Sequence, residues 1–583
     1  IGLMDMESKA STKVMAAPIQ YLGREARDMK YLYNWNAPTI WSKHEPGTFY
    51  HCAQFVLRTR DNGVTWEEVS PDLTRNMDDK QGKGGGPYTN EAVGAENYGT
   101  ISYIMESPQE KGVFWTGSDD GLVHITRDGG ANWENVTPKG LQECLVNAIE
   151  VSPHDPATAY IATTRYKFND YTPAIYKTTN YGKSWKNISS GIPYGAFTRV
   201  VREDETRKNL LYTGTETGVY ISWNGGANWE PLQLNLPVTP ITDLNVHKGD
   251  LVVATSGRSF WVLDDLGALA QYKSNGATRL YQPEDAVYGF WGSPLNGTNE
   301  SFTGSLAFAG VNPANGVVIY YELPDIADSV HIKLEISDSQ GNVIRSLTSE
   351  KDPEYKRYDG GPPPAATLPK SKGLNRFVWD MRKETMPGVL GVYIEGSYRG
   401  HRVSPGDYSI RLYVGANEYT ANAKIIDNPQ YNVSAKQYEK YDEFMSEMEG
   451  KLTRMHDLTN RLMSIQGQLG KILTDLENEA LKSEGETLVT ALKGWDSEMV
   501  QRKSKAYDDV ENFLNKFTAE YLFLINQTES SIPRVNRSSI DRKKELDKQW
   551  QQLKSQADDW LSKELPEYNR KLWQGGVGAV QLK

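Results

Sequence analysis

The chain has little cysteine, little histidine and no long apolar run. Its two cysteines, Cys52 and Cys144, cannot build a disulfide framework; both fall in expected strands and read as buried thiols. The eight histidines are scattered, with no His-x-x-x-His or Glu-flanked pair, so no metal and no cofactor is expected. Asp264-Asp265 is a calcium candidate that reads better as a surface turn. No phosphate-cradling glycine loop and no Gly-x-Ser-x-Gly occurs. The absence of about 18 consecutive apolar residues excludes a membrane-spanning helix. Basic residues number 64 against 75 acidic ones, a net charge of −11, which argues against nucleic acid or anionic lipid as a partner. The start, Ile1-Gly2-Leu3-Met4, has no initiator Met, basic stretch or apolar signal segment, and reads as a mature form, a cleavage product or a fragment.

What is present is length, aromatics and a repeat. The 583 residues include 15 Trp and 33 Tyr, with 38% hydrophobic and 24% charged residues, a globular composition with enough chain for several domains. Four segments follow Ser/Thr-x-Asp/Asn-x-Gly-x-x-Trp: Thr59 with Asp61, Gly63 and Trp66; Thr126 with Asp128, Gly130 and Trp133; Thr178 with Asn180, Gly182 and Trp185; Ser222 with Asn224, Gly226 and Trp229. The Trp spacings are 67, 52 and 44 residues, in the propeller range once loop insertions are allowed. Asp or Asn accepts backbone N–H bonds within a turn. Gly supplies positive φ. Trp then opens the next strand with a large apolar face. Short β-rich runs precede each turn, so each unit reads as a four-stranded blade. A fifth unit, over Ile241–Leu263, lacks the turn motif.

These turns are Asp-boxes, or BNR repeats, and the chain resembles a family of secreted bacterial sortilin-like propellers often labelled glycosyl hydrolase. The phrases that carry the resemblance are Tyr33–Pro38, Asn90–Gly99, Gly117–Leu122, Thr213–Tyr220 and Gly257–Asp265. The resemblance spans the whole chain. It implies a secreted or cell-surface location, a peptide, protein or glycan ligand, and an N-terminal half preceding Ile1. The family often has His where Ser256 stands, so one acid/base group is missing here.

The expected architecture is an N-terminal segment over residues 1–30, a partial β-propeller of about five blades over 31–281, a linker over 282–304, an immunoglobulin- or fibronectin-like β-sandwich over 305–428 and a helical bundle over 429–583. Period-two alternation at Val330, Ile332, Leu334 and Ile336 and again at Tyr408, Ile410, Leu412 and Val414 carries the sandwich. Apolar residues three or four apart from Met445 to Leu476 carry the first helix. A second helical stretch is expected over about 486–526 and a third over about 539–565, punctuated by Pro533 and Pro566. Five blade-like units leave uncovered sheet edges, so the remaining blades are expected from upstream sequence or a separate chain; the span 1–30 is too short for them, and residues 8–17 are too rich in small residues for a strong strand.

Topology puts the box turns on one rim and the turns between second and third strands on the other. That second rim gathers Glu96, Tyr98, Asp119, Arg165, Tyr166, Phe197, Glu216 and Arg258. The first functional reading is a non-catalytic scaffold binding a peptide, protein or glycan there. The alternative is a glycoside hydrolase with Glu216 and Asp119 as paired carboxylates and Arg165 or Arg258 holding substrate. Ordinary turn chemistry accounts for Asp119-Asp120-Gly121 and Glu216-Thr217-Gly218 without any substrate.

Overall fold

The structure, a computed structural model, describes residues 1–82, 95–273, 275–289, 313–530 and 532–582. Part of the family-like phrase (90–94), most of the expected linker and the start of the expected sandwich (290–312) lie outside the described residues. The chain divides into two compact units, Ile1–Tyr272 and Lys273–Lys583.

Among the described residues, the first unit contains four four-stranded antiparallel sheets in simple up-and-down order. The first comprises Thr39–Trp41, Phe49–Cys52, Val56–Thr59 and Glu67–Glu68; the later ones begin at Ile101, Leu145 and Thr198. A three-stranded sheet follows, formed by Ile241–His247, Asp250–Thr255 and Phe260–Leu263. Four-stranded antiparallel sheets in this succession are consistent with a β-propeller. The sequence pattern did not reveal Thr39–Trp41, because a three-residue strand carries almost no alternation.

The repeated turn explains why neighbouring sheets stack. Thr59 Oγ1 accepts from Gly63 N at 2.8 Å, and Asp61 Oδ1 accepts from Thr65 N at 2.8 Å. The other three turns repeat the pair, with Gly130 N, Gly182 N and Gly226 N donating to Thr126, Thr178 and Ser222, and Asn132 N, Ser184 N and Asn228 N donating to Asp128, Asn180 and Asn224. The same turn also reaches the preceding sheet. A Cβ on Gly182 would lie 2.6 Å from Val136 Cβ, and one on Gly130 would lie 2.5 Å from the Val69 carbonyl oxygen. Trp133, Trp185 and Trp229 donate Nε1–H to the carbonyls of Val69, Val136 and Ile188 at 2.8, 2.7 and 2.6 Å. Each turn therefore fixes its own hairpin and ties it to its neighbour.

The N-terminal segment departs from expectation. Ser11–Lys13 is a strand, paired antiparallel with Gly2–Met4. Its small side chains suffice because Val14, which follows it, packs against the backbone of Gly63.

In the second unit, Arg279–Leu280, Val317–Leu323 and Gly373–Trp379 form a three-stranded sheet. Ala286–Val287, Asn417–Ile426, Gly406–Val414, Ile332–Ser337 and Val343–Thr348 form a five-stranded sheet in that order. Ile319 and Tyr321 of the smaller sheet share one core with Ile332, Leu334, Ile336, Ile410 and Leu412 of the larger, as the alternation requires. Among the described residues, five helices of ten residues or more follow: Ala435–Thr474, Glu479–Met499, Phe517–Thr528, Arg537–Asp559 and Leu565–Gln574. Ser434 and Gln437 close a capping box on the first, and Asn478 and Asn536 cap the second and fourth. The Met445–Leu476 stripe is bundle core. The expected continuous stretch over 486–526 is broken after Met499, where Val500 turns extended. Pro566 does not end a helix. A π turn over Trp560–Glu564 precedes it and Pro566 sits in the first turn of Leu565–Gln574, where proline's missing N–H costs least.

Candidate functional site

The first strands of the five sheets converge. In the second to fifth sheets each carries a β-bulge at one equivalent place: between Ile101 and Tyr103, Val146 and Ala148, Thr198 and Val200, Ile241 and Asp243. Bulges re-aim the extra residue. Here those residues are Ser102, Asn147, Arg199 and Thr242, and all four line one cavity of about 580 Å³, with Asn34, Asn36 and Thr39 of the first sheet's side. Asp119, Tyr166 and Lys167 also face it.

At the mouth, Trp35 lies between Asn34 and Asn36 and is 74% exposed. Its Nε1 donates to Glu96 Oε1 at 2.7 Å, and its backbone N donates to Asn34 Oδ1. Asn34 and Glu96 are bridged backbone to backbone. Tyr166 stacks on Phe197, with ring centroids 5.3 Å apart and planes at 16°. Tyr171 packs between Phe197 and the exposed Tyr194. The Arg199 guanidinium lies 5.2 Å from the Phe197 centroid and gives two bonds, of 3.0 and 2.7 Å, to Glu216 Oε2.

The remaining expected site residues have other surroundings. Asp119 is buried; Oδ1 accepts from Gly99 N and Thr100 N at 3.1 and 2.8 Å, and Oδ2 accepts from Thr100 Oγ1. Burial, and then the neighbouring Asp120, push its carboxyl up to about 8 despite those bonds. Tyr98 is buried and donates its hydroxyl to Glu143, which also pairs with Lys80. Arg165 stands 3.6 Å from Asp170. Arg258 lies on the exposed turn of the fifth sheet, where its carbonyl accepts from Trp261 Nε1. The box residues from Asp61 to Trp229 serve the turns described above. The structure thus brings Tyr166, Phe197 and Glu216 together through Arg199, and seats Glu96 under Trp35.

Deeper in, Arg202 is a buried cross-tie between sheets. Its Nη2 donates to Tyr103 Oη at 3.0 Å and to Asp243 Oδ1 at 2.9 Å, and Nε donates to the Leu244 carbonyl. Glu150 is 3.7 Å away, its carboxyl pushed up to about 7 by burial against the pull of Arg202. Sequence reasoning missed Trp35, Arg199 and Arg202 as site residues. The signal for Arg199 was available: aligning the first strands puts the polar residues Ser102, Asn147, Arg199 and Thr242 in register. Among the described residues no three His, Cys, Asp or Glu side chains converge as a metal site, and no helix is long and apolar enough to cross a membrane.

No protein-family model matches the chain. A probable oligoxyloglucan-reducing end-specific xyloglucanase of Neosartorya fischeri is 23% identical over 277 residues, covering 42% of this chain and 32% of the relative. The chain thus spans about a third of that relative's length (32%). The GH74 xyloglucanase from Xanthomonas campestris is 13% identical, covers 68% of this chain and 64% of its own, and superposes with a TM-score of 0.32. YCF48 from Cyanidioschyzon merolae is 18% identical, with 42% and 71% of the two chains covered and a TM-score of 0.23.

Proposed function

We propose that the cavity mouth is a binding site for an extended, uncharged oligosaccharide, in a secreted or cell-surface protein, and that it binds without cleaving. The observation that carries the reading is the state of the two candidate carboxylates. Asp119 accepts three bonds from Gly99 and Thr100 and Glu216 is held by Arg199, so neither is offered to a glycosidic oxygen as hydrolysis requires. What remains open is of another kind. Trp35 presents an exposed ring beside the lining residues Asn34 and Asn36, and Tyr194 another beyond Tyr171; rings of this type stack on the apolar faces of sugars. Asn36 and Asn147 Oδ1 line the cavity with neutral groups suited to hydroxyls, beside Asn34, the Asn147 amide N–H and Thr242, which bond within the protein.

Hydrolysis is the second reading, favoured by the name of the xyloglucanase relative and by the protonated state that burial gives Asp119 near neutral pH. One pair of measurements separates the two. Affinity electrophoresis in gels containing xyloglucan is expected to retard the wild type, with Trp35→Ala losing about tenfold in affinity, the value of one stacked ring. Release of reducing ends from xyloglucan oligosaccharides is expected to be nil. Asp119→Asn keeps its carbonyl oxygen for Gly99 N and Thr100 N, so it should bind as the wild type does. Release by the wild type that Asp119→Asn abolishes would establish the hydrolase, and a wild type not retarded by any neutral glycan would end the binding reading.

A further inference from the structure

Three successive pairs of sheets in the first unit place the same three positions at their junction. One is the residue two after Val56, Val123 or Ile175, whose carbonyls hold Val69 N, Val136 N and Ile188 N; in every case it pairs across the strands with an aromatic, Tyr50, Trp115 or Tyr160. The other two belong to the next sheet: the last residue of its first strand, and a turn residue whose carbonyl accepts an N–H from that sheet's own repeated turn. Between the first and second sheets these positions hold Arg58, Glu106 and Gly112. Between the second and third they hold Ile125, Val151 and Ala157, all apolar. Between the third and fourth they hold Lys177, Glu203 and Asn209. Of the three junctions the last alone sets an amine against a carboxamide, with a carboxylate at hand.

The geometry there is close. Lys177 Nζ lies 3.0 Å from Asn209 Oδ1 and 5.2 Å from the centroid of the Tyr160 ring. Cγ is one carbonyl bond beyond Oδ1, so Nζ stands within about 4.2 Å of it. A small side-chain rotation brings the two to an attack distance of about 3–3.5 Å. Asn209 is held in place: its N–H donates to Glu203 Oε1 at 2.7 Å, and its carbonyl accepts from Gly225 N at 2.8 Å. Its φ is +67°, and Gly112 takes +79° at the same turn of the second sheet. A left-handed φ accounts for asparagine here, but not for the lysine opposite or the carboxylate beside it. Glu203 is 2% exposed. Among the described residues its Oε2 accepts no hydrogen bond of ordinary geometry, and the Tyr160 hydroxyl lies beside the same carboxylate. Gly225 leaves the two side chains room to meet, since a Cβ on it would lie 3.0 Å from Lys177 Nζ and 3.3 Å from Asn209 Cγ. Burial lowers the pKa of Lys177 against the pull of Glu203, which favours the neutral amine that a nucleophile requires.

We infer that the folded chain joins Lys177 to Asn209 through an isopeptide bond, with Glu203 relaying the protons, and so ties the third sheet covalently to the fourth. Glu203 takes one proton from the Lys177 ammonium, leaving an amine whose lone pair forms a bond to Cγ. As the Cγ–Nδ2 bond breaks, a second proton passes from Nζ to Nδ2, and ammonia leaves. It carries off the proton held by Glu203, which returns to its carboxylate. An ammonium and a carboxamide thus become a secondary amide and an ammonium ion, with nothing oxidised or reduced and no further reactant. The inference rests on this junction and is independent of the binding reading.

Mass spectrometry of the intact, denatured chain tests it. The wild type is expected to be lighter than its sequence by one ammonia, and digestion is expected to yield a branched peptide joining the segments around Lys177 and Asn209. Asn209→Asp is expected to form the same bond with loss of water, and so to reach the mass of the wild type. Lys177→Arg keeps the charge but not the nucleophile, and is expected at its full sequence mass. Glu203→Gln keeps an oxygen for Asn209 N but cannot relay protons, and is expected to slow the joining by about 100-fold or more. A wild type at its full sequence mass would overturn the inference. So would loss of ammonia without a branched peptide, the mark of a succinimide at an asparagine-glycine pair such as Asn224-Gly225. Joining at the wild-type rate in Glu203→Gln would overturn the role given to Glu203.

Discussion

Gly129 and Gly130 are adjacent, both at positive φ (+75° and +101°), yet alanine meets different surroundings at each. A Cβ on Gly129 touches nothing within 4 Å, whereas one on Gly130 lies 2.5 Å from the Val69 carbonyl oxygen and 3.1 Å from Val69 Cβ. Gly129→Ala therefore pays the left-handed penalty alone, about 1–2 kcal/mol, partly offset by the smaller entropy of its unfolded chain, about 0.4–1 kcal/mol. Its net cost is about 1 kcal/mol or less. Gly130→Ala has the larger φ and a contact with backbone, which cannot rotate away. Overpacking adds about 1–3 kcal/mol, and the strained φ about 1–3 kcal/mol. The net loss is about 2–5 kcal/mol. For a unit of this size one kcal/mol moves the midpoint by about 2–4 °C. Gly129→Ala should fall by no more than about 4 °C, and Gly130→Ala by about 4–20 °C. Tryptophan fluorescence during heating reads the transition, because Trp133 reports on this turn. Equal melting temperatures for the two variants would refute the claim that the turn glycine is required by the neighbouring sheet rather than by its own φ.

Two further outcomes follow from named bonds. Trp185→Phe removes the donor to the Val136 carbonyl and should cost about 1–3 kcal/mol, whereas Trp66→Phe removes an N–H that has no partner among the described residues and should cost less; urea denaturation of both compares them directly, and a larger loss at Trp66 contradicts the assignment. His401 is fully buried, with Nε2 2.9 Å from Asp442 Oδ1 and Nδ1 2.9 Å from Glu449 Oε2. Burial pulls its pKa down, but the bonds it donates to the two carboxylates outweigh that and the repulsion of Lys383, and the net shift is upward. A raised folded pKa gives stability present in full below the unfolded value of about 6.5 and lost as pH rises through the folded value. His401→Gln should therefore cost about 3–5 kcal/mol at pH 6 and flatten the decline in unfolding free energy above pH 6.5; an unchanged pH profile would exclude His401 as its source.

Much of the first unit is legible in the sequence because its turn motif does two jobs at once. Thr59, Asp61 and Gly63 close the hairpin locally, so their spacing is strict and shows in the string of residues. In the next turn Gly130 and Trp133 also meet the preceding sheet, which makes the repeat visible at long range. Where the second job persists without the first, the sequence is silent. Ile1 and Val14, thirteen residues apart, are bonded as Val56 and Val69 are, and Val14 packs on Gly63, but the segment lacks the motif and so reads as a linker. The helices were legible in their apolar stripe but less so at their ends, because Pro566 is accommodated by a π turn that no local pattern announces.

The candidate site is less legible for a different reason. A turn residue such as Asp119 has a functional reading and a structural one with the same local sequence, and only the positions of Gly99 and Thr100, contributed by the strand before, decide between them. The carboxylates that attract attention in a one-dimensional reading are those already committed to loops or ion pairs. The side chains that line the cavity are instead placed by backbone irregularity. Asn147 and Arg199 point inward because a bulge inserts one residue into each first strand, and a bulge shifts alternation by a single position. In one strand that shift is indistinguishable from noise. Its recurrence at Ser102, Asn147, Arg199 and Thr242 is what gives it meaning, and recurrence becomes visible only after the turn motif has aligned the sheets. The sheet-stacking motif and the cavity lining are therefore linked: the turns on one rim hold the sheets in common register, and that register brings four bulges to the same height around the cavity.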